Sequence, residues 1–575
     1  MKPGTLATGR ALGLWLALTS ACAGPQLAPT APPEASKTAG AVPPGTPIDE
    51  DIANARAQKR AASFTWEEFG PAALERARAS GKLVLLDCVA TWCHWCHVMD
   101  DTTYTDPELG ALIRDQVVAV RVDVDARPDI ATRYEDFGWP ATVVFNPQGE
   151  ELGKFRGYMT AKVLKGILEE ARAQSARGPV GPRERPALVE TPAPAALMGW
   201  VGVRVVRDLD LFYDGDQGGW GRGQKLPIGG NIEVELLRGA HGDAAALRRA
   251  RQSLDKQRAL IDPVWGGMYQ YSVGGVWNKP HFEKRMPIQT EALHAYARAL
   301  ATPGLGESQD RIDAERIIQY LHSFLRNRDG LYLVSQDADL GGHEKEARFV
   351  DGHIYYELDD AHRRELGIPR IDDHVYSYEN GLAIAAIATF AARLGSDPRA
   401  GELLQAVQRA AEQLTRTHVE PDGTVRREAV VTSSLRFLAD AAALGRAFTV
   451  LATVTAKPAY RQLAEKIAAA MWTHFFDAKA GLLWVGTVDP AASGVFARRE
   501  HSFWQNTLAA RFLGELAAAP GVGAPQRVLY RTQARALLTT LSIPSELAAQ
   551  GRLLGDYVLA LDTVGLLPWS KPGAP

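Results

Sequence analysis

Residues 82–96 read Lys82-Leu-Val-Leu-Leu-Asp87-Cys88-Val-Ala-Thr-Trp92-Cys93-His94-Trp95-Cys96, and the first fold is decided here. An apolar run of strand length delivers the chain to a turn, and helical spacing resumes at Cys93. A cysteine at the N-terminus of a helix faces unpaired N–H groups and the positive end of the helix dipole, which favour the thiolate. The expectation is therefore an exposed, nucleophilic Cys93. Cys96, one turn on, closes a small ring with it and resolves a mixed disulfide. His94 adds positive charge beside the nucleophile. Asp87, an acid within an apolar strand, is expected to be buried and to relay the proton of Cys96. About 44 residues beyond Cys96, Gly138-Trp139-Pro140-Ala141-Thr142 enters another strand, and Pro140 is a candidate for a cis bond that presents backbone to a thiol partner.

Around this motif strands and helices alternate. Helical spacing covers 66–80, a strand 82–89, and a helix 93–101; Thr105-Asp106-Pro107 reads as the cap and first turn of another helix. A strand at 117–124, a short helix at 129–137, a hairpin of 141–145 with 151–156, and a helix at 160–173 complete a small α/β sandwich. The order of Asp87, Trp92, Cys93, Cys96 and Pro140 resembles the thioredoxin superfamily over residues 64–174. Other readings of the cysteines stay open. Cys93-His94-Trp95-Cys96-His97 also fits the haem c attachment pattern. Zinc held by Cys93 and Cys96 with His94 and His97 is a second, and a non-redox scaffold a third. Cys88 is expected to pack as a small apolar residue.

Beyond a Pro-rich break at 178–196 the pattern changes to amphipathic helices, at 232–237, 245–260, 290–301, 314–325, 381–394, 402–414 and 434–451. A turn signature recurs between them: an Asp-rich turn closes on glycine and an aromatic residue begins a short strand. It is seen at 212–220, 261–269, 327–332, 420–424 and 475–484. Such repetition marks stacked helical hairpins closing into an (α/α) toroid, with an open solenoid as the alternative.

The first 22 residues carry Lys2, Arg10, a short apolar run 11–18 and then Thr19-Ser20-Ala21-Cys22, the pattern of a secretory signal with a lipoprotein-type site at Cys22. Export to the periplasm or cell envelope with a lipid anchor on Cys22 is the expected localisation. The expected organisation is signal 1–22, Pro/Ala-rich tether 23–60, thioredoxin-like domain 61–175, linker 176–196 and toroid 197–570. Four cysteines are too few for a disulfide framework, and a net charge of -3 gives no field for nucleic acid or an anionic membrane surface.

Further motifs carry a narrower resemblance. Thr91-Trp-Cys-His-Trp-Cys-His-Val-Met99, Val122-Asp-Val-Asp-Ala-Arg-Pro-Asp129 and Gly138-Trp-Pro140 resemble the spermatogenesis-associated protein 20-like family. Gly218-Gly219-Trp220, Gln224-Lys225-Leu226-Pro227, Gly266-Gly267-Met-Tyr-Gln-Tyr-Ser272, Pro280-His281-Phe282-Glu283-Lys284, Ser335-Gln336-Asp337-Ala338-Asp339 and Asn380-Gly381-Leu382 continue it. The resemblance implies a multidomain chain, an α/β thioredoxin fold followed by an all-α (α/α)6 toroid similar to N-acylglucosamine 2-epimerases. It departs at Arg285-Met-Pro-Ile-Gln289, where the family carries an acid at the position of Ile288. In such a funnel His281, Glu283, Lys284, Gln289, Asp337, Asp339, Tyr271, Trp277 and Asn380 are the candidate ligand-binding residues, converging with Trp504; the alternative is that these charges form a buried network that only ties the hairpins together. An epimerase would pair His281 with His374 or His501 as acid and base. The leading expectation is an envelope thiol–disulfide oxidoreductase with protein thiols as partners, no cofactor and no metal, whose barrel takes a glycan or a protein. The alternative is a carbohydrate isomerase or epimerase with an accessory thioredoxin domain.

Overall fold

In the computed structural model residues 62–177, 190–342, 349–430, 433–567 and 569 are described. The signal, Cys22, the tether and most of the linker lie outside them. The first domain is a five-stranded sheet in the order β1-β3-β2-β4-β5, with β1 Glu67–Glu68, β2 Leu83–Val89, β3 Val117–Asp123, β4 Ala141–Phe145 and β5 Glu151–Arg156. Strand β2 lies between parallel β3 and antiparallel β4, covered on both faces, which is why it reads as an almost unbroken apolar run. Helices α1 Pro71–Ser80, α2 His94–Thr102, α3 Pro107–Gln116, α4 Pro128–Tyr134 and α5 Ala161–Ala176 flank it, and two apolar clusters fill its two faces. Asp106 caps α3 by accepting from the Leu109 N–H at 2.9 Å, with Pro107 at the first helical position. The helix expected from Trp66 starts only at Pro71. Glu67–Glu68 instead pairs with Val120–Arg121 as an edge strand, because Pro71 sets the helix start.

The second domain is a closed ring. Inner helices α7 Gly229–Ala240, α9 Met286–Leu300, α11 Ser377–Ala391, α13 Leu438–Thr455, α15 Phe503–Ala518 and α17 Gly555–Thr563 pack in that order, and α17 returns to α7. Each leans on an outer helix: α8 Ala244–Gln257, α10 Ser308–Phe324, α12 Pro398–Thr417, α14 Pro458–Phe475, α16 Ala524–Thr540 and, for α17, α6 Met198–Phe212. That makes six hairpins and excludes the open solenoid. Helix α13 alone among the described residues is long and apolar enough to cross a membrane, but it is mostly buried as an inner helix, apolar all round because neighbours surround it.

The recurrent turns are one device repeated. In the first, the Asp214 N–H donates to Gly219 O at 2.9 Å and Lys225 Nζ donates to Asp214 Oδ2 and to Gly218 O at 2.7 and 2.9 Å. The second repeats it with Asp262, Gly267, Lys284 and Gly266: 3.0 Å for the backbone pair, then 2.7 and 3.0 Å from Lys284 Nζ. Gly219 and Gly267 both lie at positive φ, 72° and 74°, where a Cβ would run into Trp277 and Tyr320 respectively. After three of the turns a side-chain amide near the start of an inner helix clips the following residue, donating to its carbonyl and accepting from its N–H. Gln289 holds Met268, Asn380 holds Tyr332 and Asn506 holds Leu483, all between 2.6 and 2.9 Å.

The thioredoxin domain and the toroid form one unit. Helix α4 faces the ring: Gln505 donates to Thr132 Oγ1 at 3.0 Å, Arg133 pairs with Glu500 at 2.6 Å, and Trp504 Nε1 donates to Glu135 at 3.1 Å.

Candidate functional site

Cys93 caps α2, and Cys93 and Cys96 are joined as a disulfide with their Cα atoms 5.2 Å apart. The Cys96 N–H points at Cys93 Sγ, 3.2 Å away, so the first sulfur sits in the field of the helix start. The Trp139–Pro140 bond is cis, as the sequence suggested. Asp87 on β2 is buried, accepts from Arg121 at 2.8 Å through Oδ2, and leaves Oδ1 buried without a hydrogen bond. Burial, against the pull of Arg121, raises its carboxyl to about 6. Cys88 is fully buried and its thiol is pushed up by the same effect.

The raised value sets a pH dependence. An ordinary Asp titrates near 3.9, so the folded protein holds this proton more tightly than the unfolded chain. The stability Asp87 contributes as a protonated acid is complete below about pH 4 and is lost as pH rises through 6. Asp87→Asn, which keeps the neutral shape, is expected to leave the urea midpoint unchanged at pH 4 and to raise stability by about 2–3 kcal/mol at pH 8. Equal effects at both pH values would show that Asp87 is not titrating.

One expectation fails. Cys93 is not exposed: it is 2% accessible and Cys96 3%. The toroid covers them. The Arg285 guanidinium lies 4.0 Å from the Trp92 ring centroid and 3.8 Å from Asp125, whose other oxygen accepts from Trp92 Nε1 at 2.6 Å. Arg427 donates to the Asp125 carbonyl while paired with Asp440. His94 Nδ1 sits 2.7 Å from Asp339 Oδ2 of the toroid. A local motif reports what its own helix does to a thiol, not what another domain lays over it.

The proposed barrel residues fall into three places. Lys284, Gln289, Asn380 and Trp277 belong to the turns: Lys284 is the clamp on Asp262, Gln289 and Asn380 are clips, and Trp277 Nε1 donates to Gln217 O at 2.9 Å. His281, Glu283, Asp337 and Asp339 face the thioredoxin helix α2 instead of the funnel. His281 stacks on Tyr271 with centroids 4.2 Å apart, and burial lowers its imidazole to about 3, leaving it neutral. Burial raises Glu283 to about 7. His374 pairs with Asp372 at 2.6 Å and is held up at about 9, first by that hydrogen bond. Of the expected set, Trp504 and His501 line the funnel, so the pairing of His281 with His501 or His374 across one carbon does not arise.

The funnel is a cavity of about 1280 Å³ between the inner helices and α4 with the β4–β5 turn of the thioredoxin domain. Glu233, Glu291, His294, Arg446, Arg511 and Asp556 line it from the toroid, and Glu135 from the other side. Burial, with Asp556 adding to it, raises Glu291 to about 8. Burial likewise raises Glu135 to about 7. Sequence reasoning missed this set. The available signal was charge on helices that are otherwise apolar all round, such as Arg446 within an Ala- and Leu-rich run.

The disulfide, its cis-proline loop and the sheet beneath define a thioredoxin-like protein, here fused to a helical toroid. The chain belongs to the thioredoxin-like family: it is 34% identical over 90 residues to thioredoxin-like protein slr0233 of Synechocystis sp., covering 16% of this chain and 82% of that one. A family model described as "Protein of unknown function, DUF255" (Thioredox_DsbH) matches residues 54–166. Homologues named spermatogenesis-associated protein 20 share more of it; that of Homo sapiens is 28% identical over 315 residues, 48% of this chain and 39% of the relative. The chain thus matches about two fifths of the length of these relatives. The thiol:disulfide interchange protein DsbD of Ralstonia nicotianae is 40% identical over 83 residues, 14% of each chain. Cellobiose 2-epimerase from Spirochaeta thermophila superposes with a TM-score of 0.46 at 12% identity, over 65% of this chain and 98% of that one.

Proposed function

We propose that the chain is a thiol–disulfide oxidoreductase that works on protein thiols, with Cys93 as nucleophile and Cys96 as resolving thiol. The observation that carries this reading is the Cys93–Cys96 disulfide at the start of α2, with the cis Trp139–Pro140 bond and a buried Asp87 of raised proton affinity in the same domain. In the reduced protein the Cys93 thiolate attacks a substrate disulfide, forming a mixed disulfide and releasing one substrate thiolate. The Cys96 thiolate then attacks Cys93 Sγ, the second substrate thiolate leaves, and the protein becomes the disulfide as the substrate becomes the dithiol. Asp87 Oδ1 is the acceptor for the Cys96 proton. Supported by the signal-like start of the sequence, the site of action is the cell envelope, with Cys22 as lipid anchor.

The test is the reduction potential of Cys93–Cys96 against glutathione and dithiothreitol buffers, with Cys93→Ser as control. A potential near about -270 mV marks a reductant, and one near about -120 mV an oxidant that installs disulfides. A pair that never cycles removes the proposal.

A second reading is favoured by the large cavity. Carboxylates, arginines and the paired rings of Tyr378 and Trp504, centroids 5.9 Å apart, suit a polyhydroxylated, glycan-like ligand. Saturable sugar binding is expected to survive Cys93→Ser and, at pH 9 where Glu291 is ionised, to fall at least about tenfold in Glu291→Gln by isothermal calorimetry, the loss of one charged hydrogen bond. Binding unaffected by Glu291→Gln would place the sugar elsewhere.

A further inference from the structure

Helix α2 presents two histidines three residues apart, His94 and His97, to an extended segment of the toroid carrying Asp337 and Asp339. All four side chains are buried, the aspartates completely. His97 Nδ1 lies 3.6 Å from Asp337 Oδ1 and 4.0 Å from Asp339 Oδ2. Donors that share a first-row divalent cation at about 2.1 Å stand roughly 3–3.5 Å apart, and these three, all within 4.8 Å of one another, reach that spacing by small side-chain rotations. Their positions are held from outside the triad. Asp337 Oδ1 accepts from the Asp339 N–H at 3.1 Å, Asp339 Oδ1 accepts from the Gly352 N–H at 2.9 Å, and His94 Nδ1 fixes Asp339 Oδ2 at 2.7 Å. Backing a ligating carboxylate with a hydrogen bond in this way is what orients it toward a metal.

A second observation lies next to the triad, on the other side of His94, which holds Asp339. Glu283 is 3% exposed, and its Oε2 is buried with no hydrogen-bond partner. With His94 and His281 it lines a cavity of about 10 Å³, the room of a single water-sized sphere. A carboxylate oxygen left bare inside a protein costs on the order of 1–3 kcal/mol or more unless something fills that place.

We propose that His97, Asp337 and Asp339 hold a divalent first-row transition-metal ion between the two domains, with His94 positioning Asp339 and Glu283 adding negative charge beside it. Imidazole with carboxylates and without thiolate favours Mn²⁺, Fe²⁺, Co²⁺ or Zn²⁺ over Mg²⁺ or Ca²⁺. The ion fastens the toroid to the helix that carries the redox cysteines, and it stands independently of whether those cysteines cycle. Zinc held by Cys93 and Cys96, open from the sequence, is a different site, and in this structure both sulfurs are spent in the disulfide.

The experiment uses the full chain with the disulfide oxidised, stripped by chelator and titrated with Co²⁺ in a calorimeter and a spectrophotometer. Expected is one equivalent with visible d–d bands and no thiolate charge-transfer band. Asp337→Asn is expected to weaken binding at least tenfold, and Cys93→Ser/Cys96→Ser to leave it unchanged. The apo-protein melting temperature of each variant separates lost binding from lost fold. Should Asp337→Asn fail to fold, His97→Gln carries the same expectation. No stoichiometric binding by the wild type, binding indifferent to both ligand variants, or a thiolate band and loss in the cysteine variant would each overturn the site.

Discussion

Asp262→Ala is expected to lower stability by about 3–5 kcal/mol, read as the shift of the urea unfolding midpoint. Asp262 sits fully buried at the centre of a charge cluster: Oδ2 accepts from Lys284 Nζ at 2.7 Å and from Arg363 at 2.8 Å. Burial alone would raise its carboxyl, yet the two cations hold it at about 2. The rings of Tyr269, Tyr320 and Tyr356 surround the Lys284 ammonium at 5.3, 4.3 and 5.4 Å from their centroids. Removing the anion strands two buried cations, and faces of aromatic rings replace only part of the lost charge. Asp262→Ala/Lys284→Met, which removes one of those cations with its partner, is expected to recover part of the loss. A cost under about 1 kcal/mol for the single variant would mean that the cluster is relieved by water, contrary to its burial.

Arg285→Ala is expected to speed reduction of the Cys93–Cys96 disulfide by dithiothreitol about 10–100-fold. At 2% accessibility, Cys93 reacts only from an opened state in which the toroid loops lift from Trp92. Arg285 holds that cover down by stacking on Trp92 and by its charge against Asp125. A desolvated cation–π contact contributes up to about 2 kcal/mol and a partly exposed ion pair about 0–1 kcal/mol. Their sum, at about 1.4 kcal/mol per factor of ten, gives the expected acceleration. The measurement is stopped-flow reduction followed by trapping of the free thiols, with the reduction potential as a check that the couple itself is unchanged. An unchanged rate would show that opening does not run through Arg285. The comparison matters for mechanism, because a covered disulfide selects partners that can open the cover.

Much of this molecule was legible in its sequence. Asp87, Trp92, Cys93, Cys96 and Pro140 lie where the linear motif put them, since each owes its role to its own strand, cap or turn. The same holds for the toroid of helical hairpins, whose Asp–Gly turns recur because each closes over a few residues; the number six came only with the family resemblance. For Lys284, Gln289 and Asn380 the sequence left two tasks open, holding a ligand or tying the hairpins together, and their hydrogen bonds are of the second kind. A buried polar side chain at a helix start looks alike in sequence whether it clips a neighbouring turn or meets a ligand. The cover over Cys93 and the meeting of His94 and His97 with Asp337 and Asp339 join residues about 160 to 300 positions apart. So does the funnel that gathers Glu233, Glu291, Arg446 and Arg511. Local chemistry determined the sheet, the redox motif and the repeating turns, which depend on near neighbours and hydrophobic period. Only tertiary structure decided what those parts face, because domain docking and ring closure bring together groups that no spacing along the chain relates.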